Sequence, residues 1–280
     1  MFCVFIKQQK KQAVNTANPS TTNQFIMALQ EEFEQQGVWL FKYRSNLPII
    51  ILVLGYALYC YKELHPEAYF LKGDQLWFDP YFEMICFGVC ALGLLIRVYT
   101  VGHTPRFTSG RNTEEQVAET LNTTGLYSTL RHPLYLGNFL MWWGLALLTG
   151  NIWFNVSFIL FYWLYYERIM FAEEQFLRRK FGQTYTSWAE GVPAFIPALG
   201  KFKKPNLSFS WKKVLKKEKN GLFAMFILFC LFDITGEYLN GGTYESGNLF
   251  FIYGTVLTGF SYIVLKFLKK KTTVLEQEGR

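Results

Sequence analysis

Thr123-Thr-Gly-Leu-Tyr127-Ser-Thr-Leu-Arg131-His132-Pro133-Leu-Tyr135-Leu-Gly137 is polar and cationic, and an apolar run begins directly after it. Pro133 suits the first turn of a helix, where the missing N–H costs no hydrogen bond. The stretch therefore reads as the mouth of a membrane hairpin. Two apolar runs follow, Pro133–Thr149 and Ile152–Phe171, with only Gly150-Asn151 between them, which demands a tight antiparallel pair of helices. A second polar cluster, Glu173-Glu174, sits just past the far end of that hairpin.

The chain has 280 residues, of which 51% are hydrophobic, 19% aromatic and 18% charged. A soluble domain carries about a quarter charged residues. Here the apolar residues also come in blocks approaching the roughly 20 needed to span hydrocarbon. The fold class expected is all-α: a polytopic membrane protein of about six transmembrane helices. The net charge of +7 then reports orientation and attraction to anionic headgroups, and no basic aromatic module outside the spans suggests nucleic-acid binding. Cys3, Cys60, Cys86, Cys90 and Cys230 read as small hydrophobes, without a disulfide framework or metal-ligand spacing.

The chain divides as follows. Residues 1–45 form a flexible tail plus an amphipathic interfacial helix over about Phe25–Arg44. Residues 46–101 hold two spans, near Leu47–Tyr61 and Pro80–Val101. Residues 102–200 carry a polar loop, the hairpin and an extended polar segment. Residues 201–219 are a basic linker, and 220–280 hold spans near Asn220–Tyr238 and Asn248–Leu268 with a tail. Alternate connections are rich in Lys and Arg, while the others are acidic or very short. Both termini and the two polar clusters are then expected on the cytoplasmic side.

Arg131 and His132 beside a helix N-terminus make a positive pocket suited to a carboxylate or phosphate; they equally suit a juxtamembrane anchor. Gly137 permits close approach of a ligand or another backbone. Two adjacent carboxylates where a helix is expected to end want a cation, either Arg178, Arg131 or a ligand. Glu167 and Arg168 lie one to two turns earlier among aromatic residues, and ionisable groups at membrane depth are functional candidates. Phe181-Gly182 reads as a helix stop, and Val192-Pro193 to Pro197 as a rigid apolar loop. Arg97 is expected to snorkel to the interface, Asp233 to face the outer headgroups, and the turn-rich 108–112 loop to be open to anions.

Taken in order, Gly125 to Gly137, the hairpin, Glu173-Glu174-x-x-Leu177-x-x-x-Phe181-Gly182-x-x-Tyr185, then Val192-Pro193 and Pro197, resembles the isoprenylcysteine carboxyl methyltransferase and phospholipid methyltransferase superfamily. The resemblance covers about residues 98–198. It implies an integral-membrane enzyme that uses S-adenosylmethionine in a cytoplasm-facing pocket and methylates a lipophilic small-molecule or prenylated acceptor. Carried over, Tyr127, Arg131, His132, Pro133, Tyr135, Gly137, Glu173 and Glu174 would bind the cofactor, with Arg168 and Glu167 as catalytic candidates and no metal. The steroid 5α-reductase group, which uses NADPH, keeps a similar motif but commonly has Glu after the glycine. Asn138 stands there in this chain and favours the methyltransferase over that alternative. A non-catalytic membrane relative is the third reading.

Overall fold

Helices make up the regular structure among the described residues of this computed structural model, which are 28–44, 46–65, 81–105, 118–241, 246–277 and 279. In chain order they are α1 (Leu29–Lys42), α2 (Asn46–Leu64), α3 (Phe82–Gly102), α4 (Pro133–Leu147), α5 (Ile152–Phe181), α6 (Gln183–Glu190), α7 (Trp211–Leu239) and α8 (Ser246–Lys271). Phe33–Arg280 forms one compact unit, and Met1–Glu32 is a second. The expected tail, Phe25 and Ile26, most of the loop after α2 and the 108–112 turn lie outside the described residues.

Among the described residues three helices are long and apolar enough to cross a membrane: Phe82–Gly102, Trp211–Leu239 and the Leu249–Lys271 part of α8. The outward-facing residues are apolar, among them Leu92 and Leu95 on α3, Leu231 on α7, and Val256 and Phe260 on α8. In water such a surface would cost free energy; against lipid it does not. α4 is only 15 residues long, about 22 Å. Its partner α5 has 30 residues.

Two boundaries differ from expectation, for one reason each. α5 ends at the Phe181-Gly182 helix stop read in the sequence, ten residues beyond the expected end of its apolar span near Phe171. Glu173 and Glu174 therefore lie within the helix, and its last turn is Arg178, Arg179 and Lys180. Those cations suit the negative end of the helix dipole, and Gly182 with φ 52° then stops the helix. The supposed linker 201–219 is helical from Trp211 onward. The Ser210 hydroxyl caps that start by accepting the Lys213 N–H at 3.2 Å. Buried Lys213 then donates to the carbonyls of Thr104 and Pro105 at 2.7 and 2.8 Å, tying the start of α7 to the end of α3. The Ser210 hydroxyl in turn donates to Gln277, which anchors the tail.

α3 and α4 pack closest. A methyl group placed on Gly93 would lie 2.5 Å from the Gly137 carbonyl oxygen, and one on Gly137 would lie 2.6 Å from Arg97 Cγ. Small residues at such a crossing let two backbones touch. On one side of α4 the core is Cys86, Cys90, Leu94, Leu145, Met225, Phe229 and Phe251, contributed by α3, α4, α7 and α8. On the other, Phe158, Tyr162, Tyr166, Ile169 and Met170 of α5 pack against Tyr135 and Phe139. The Tyr162 hydroxyl donates to the Tyr135 carbonyl at 2.8 Å, and the Tyr162 and Tyr166 rings stack at 4.1 Å. From Phe33 onward α1 lies along α5, with Phe33 edge-on to Phe171.

Two ionisable residues behave differently from the sequence reading. Arg97 does not snorkel: it forms a two-pronged bond with Glu218 of α7 at 2.9 and 2.7 Å. Asp233 does not face headgroups but is buried, its charge felt by Glu83 of α3. Cys86, Cys90 and Cys230 are buried free thiols, as a reading of them as small hydrophobes requires, and no metal-binding group occurs among the described residues.

The glycine seam makes a direct prediction. Gly93→Ala should destabilise the detergent-solubilised protein by about 1–3 kcal/mol through overpacking. Gly88→Ala on the same helix, where a methyl meets nothing within 4 Å, should be neutral or slightly stabilising. Thermal unfolding of the two variants side by side measures the difference, and equal melting temperatures would contradict the packing.

Candidate functional site

The polar entrance to α4 and the carboxylates of α5 meet. His132 Nε2 and Glu174 Oε1 are 2.9 Å apart, and Arg131 Nε lies 3.0 Å from the same oxygen. His132 Nδ1 is 3.7 Å from Glu173 Oε2, so the imidazole sits between the two carboxylates. A carboxylate only accepts, so the Glu174 contact puts a proton on Nε2. The His132 ring is stacked on Tyr135 at 5.6 Å, and Tyr135 packs on Tyr166 at 5.1 Å.

The segment before α4 is held by backbone hydrogen bonds as well as by its own side chains. Arg131 N–H donates to the Pro193 carbonyl at 2.9 Å and His132 N–H to that of Ala194 at 3.1 Å. Ala198 N–H donates to the Thr129 carbonyl, and Gly125 N–H to that of Lys203, both at 2.9 Å. The Val192-to-Pro197 loop is thus a strap across Thr129–His132. Its prolines leave their carbonyls free to accept without offering a competing N–H. The Arg131 guanidinium also donates to Ala189 at the end of α6, at 3.3 Å.

The strap brings Tyr185 and Trp188 of α6 to the cluster. Tyr185 is fully buried, and the sequence reading assigned it no role. Its place eleven residues after Glu174, in the stretch that resembles the family, was the available signal. Burial, reinforced by the Glu174 charge, pushes its hydroxyl above the ordinary tyrosine range. Burial acts on Glu174 in the opposite sense to its partners. The hydrogen bond from His132, the charges of His132 and Arg131 and the nearby Tyr185 hydroxyl outweigh it and hold the carboxyl below its ordinary value of 4.5. Tyr127, in the 3₁₀ turn Leu126–Ser128, is raised by burial and then by the Glu173 charge, which puts it within electrostatic reach of the same cluster.

Four buried polar atoms here lack a hydrogen-bond partner among the described residues: Arg131 Nε, Glu173 Oε2, the Tyr185 hydroxyl and Trp188 Nε1. Such atoms cost free energy unless something pairs with them. Arg131 Nε is near Glu174 but not aimed for a hydrogen bond, so the charges attract while the N–H stays open.

Arg131, His132, Tyr135, Glu173 and Glu174 are thus brought together, with Pro133 at the first turn of α4. Gly137 lies one turn further along at the α3 crossing, so it serves helix packing there. Glu167 and Arg168 are not joined to the cluster by any contact among the described residues. They pair with each other at 2.9 Å, and the Arg168 guanidinium lies 3.5 Å over the Phe33 ring.

A model of the phospholipid methyltransferase family matches residues 83–184, from α3 to the start of α6. Protein-S-isoprenylcysteine O-methyltransferase B of Arabidopsis thaliana is 32% identical over 156 residues, covering 54% of this chain and 72% of that protein. The chain belongs to the isoprenylcysteine and phospholipid methyltransferase superfamily.

Other relatives align over less of their length. The nickel-cobalt-cadmium resistance protein NccN of Alcaligenes xylosoxydans xylosoxydans is 33% identical over 135 residues, 48% of this chain and 60% of that one. The protein-S-isoprenylcysteine O-methyltransferase of Schizosaccharomyces pombe is 34% identical over 79 residues, 28% and 34% of the two chains. No solved structure matches. The residues that meet in the cluster, Arg131 to Glu174, fall inside the part shared with the superfamily; the strap and α7 fall outside the matched family region.

The depressed Glu174 carboxyl has a pH consequence. Its contribution to stability is whole above its ordinary value of 4.5 and is lost as the pH falls through the lower folded value. Glu174→Gln should therefore lower stability at neutral pH and flatten the acid side of the profile below about 4.5. Melting temperature against pH for the two proteins measures this, and parallel acid limbs would contradict it.

Proposed function

We propose that this chain is an integral-membrane methyltransferase that takes its methyl group from S-adenosylmethionine and passes it to a lipophilic acceptor, a prenylcysteine-type carboxylate or a phospholipid amine. The observation that carries the reading is the cluster of Arg131, His132, Glu173 and Glu174 with its open buried atoms. Superfamily membership supports the reaction class.

The residues fit the cofactor chemically. The cluster offers the Arg131 guanidinium and the carboxylates of Glu173 and Glu174. S-adenosylmethionine carries an ammonium, a sulfonium and a carboxylate, a single net positive charge. Glu174 is committed to His132 and Arg131, so Glu173, a third exposed and with an open oxygen, would take the ammonium. The open Arg131 N–H and the N-terminal amides of α4 would take the carboxylate. Tyr127 and Tyr135 would offer ring faces to the cation or the adenine. When bound, the cofactor supplies a methyl group already activated by its positive sulfur. The chain's own work is then to bind, align and exclude water. Glu174 holds His132 in one tautomer, and the strap holds Arg131 in place. An acceptor carboxylate needs no base. For an amine acceptor, His132 through its Nδ1 face is the better placed proton acceptor, because Glu167 is engaged by Arg168.

The chain would cross the bilayer six times, with α2, α4 and α5 completing the set. Its termini and the cluster would face the cytoplasm, supported by the basic residues that follow α3 and α5 and by Lys269, Lys270 and Lys271 in the last turn of α8.

The deciding measurement is ligand binding to the detergent-purified full chain. S-adenosylmethionine should bind saturably and NADPH should not; NADPH binding alone would overturn the proposal. Glu173→Gln should weaken cofactor binding about tenfold or more while leaving the melting temperature nearly unchanged, since losing a charged hydrogen bond costs about 1.5–3 kcal/mol. Transfer of labelled methyl to a lipid extract and to prenylcysteine analogues then identifies the acceptor. A cysteine at the exposed position of Lys204 should react with an impermeant reagent only from the cytoplasmic side, and labelling from outside would reject the proposed orientation.

A further inference from the structure

A second polar node lies on the face of α4 turned toward α3 and α7. Arg97 Nε and Nη2 donate to the two carboxylate oxygens of Glu218, and Nη1 donates to Asn138 Oδ1 at 2.6 Å. The node closes one end of a half-open cleft of about 210 Å³. Beyond it the walls turn apolar, with Cys90, Met141, Trp142, Leu145, Ala224 and Leu228.

We propose that this cleft between α3, α4 and α7 is a binding site for one bilayer-derived amphiphile with a single hydrocarbon chain and a neutral, hydrogen-bond-accepting head such as an ester.

Size limits the occupant first. A cavity of about 150 Å³ holds a benzene ring, whereas drug-sized ligands need about 300–1,000 Å³. The cleft takes one chain segment beside a small head, not two acyl chains. Charge limits the head. Arg97 and Glu218 are paired through two hydrogen bonds, and their side chains are only 19% and 5% exposed. An anionic head would have to displace Glu218 and leave that carboxylate buried without its partner, at a cost of several kcal/mol. A cationic head would meet Arg97. A neutral acceptor avoids both penalties. It also finds donors: three of the five N–H groups of Arg97 are used, and only the oxygen of the Asn138 amide is engaged among the described residues. The source follows from position. α3 and α7 are long and apolar enough to span a membrane, and their outward faces carry Leu92, Leu95, Ile227 and Leu231. A cleft between them fills from the hydrocarbon.

The site does not depend on methyl transfer. α7 lies beyond residues 83–184, so this chain builds one wall of the cleft from a segment that the family match does not include. Gly221 and Ala224 keep that wall low, while Met225 and Leu228 extend it.

The test uses the full chain in detergent with two photoreactive probes of equal chain length: a diazirine-bearing monoacylglycerol and the corresponding fatty acid. The monoacylglycerol should label peptides containing Met141, Trp142 or Leu228. Unlabelled monoacylglycerol should compete for that labelling, and the fatty acid should label at least tenfold less at pH 8. Ala224→Phe, which fills the cleft, should abolish the competed labelling. Asn138→Leu, which keeps the volume but removes the donor, should bring the two probes within about twofold. Size-exclusion profiles establish that each variant is folded, and the second variant suffices if the first is not. Labelling that is not competed, that prefers the carboxylate, that survives in folded Ala224→Phe, or that keeps its tenfold preference for the monoacylglycerol in folded Asn138→Leu would overturn the proposal. Binding of S-adenosylmethionine, measured on the same samples, is expected whatever the outcome with the lipid.

Discussion

One carboxylate, that of Glu174, holds the arrangement together. It accepts from His132 and faces Arg131, residues 42 and 43 positions earlier and on the other arm of the α4–α5 hairpin. Glycine at the α3–α4 crossing and tyrosine stacking between α4 and α5 bring the helices close, but neither fixes the rotation of α5 about its axis. The Glu174 contact does, because a turn of α5 in either direction would strand a buried charge. Burying that charge is tolerable only because the His132 N–H and the Arg131 charge meet it. The same rotation places Glu173 with one oxygen open. The polar cluster is therefore both the clasp of the hairpin and the candidate binding surface.

The helical class, the hairpin and the two polar clusters were legible because each is written locally: apolar blocks bounded by charge, a two-residue turn, a proline at a helix start. The residues that complete the site were not. Tyr185 and Trp188 reach it only because α6 and the strap fold back over Thr129–His132, a matter of backbone pairing that no side-chain pattern announces. The Arg97–Glu218 pair spans 121 positions. Glu218 is the single acidic residue in the basic run 201–219, and that run reads as a solvated linker. Its helical continuity became evident only from the Ser210 cap and from the burial of Lys213 against the carbonyls at the end of α3. The end of α5 at Gly182 was legible, but its helical continuity from the apolar span through Glu173 and Glu174 was not: apolar content fades at Phe171, while helix propensity and the closing Arg178-Arg179-Lys180 do not.

α4 is where the two polar nodes converge. Its first turn addresses α5 and the strap, whereas Asn138, a turn and a half later, addresses α3 and α7. Between them sits Gly137, with no side chain to separate α4 from the Arg97 stem. A short helix thus carries the Arg131–His132–Glu174 cluster at its first turn and meets the Arg97–Glu218 pair through Asn138, little more than a turn of backbone apart.

The strap follows a different logic from the cluster it supports. It grips Thr129, Arg131 and His132 through main-chain groups alone, so the identity of most of its side chains matters little and its length matters a great deal. Point substitutions can accumulate there without moving His132. A single inserted or deleted residue between Ala189 and Lys203 would shift the pairing frame and carry Arg131 away from Glu174. In this stretch the chain behaves like a ruler: what it conveys is distance, and its lettering can change while the measure is kept.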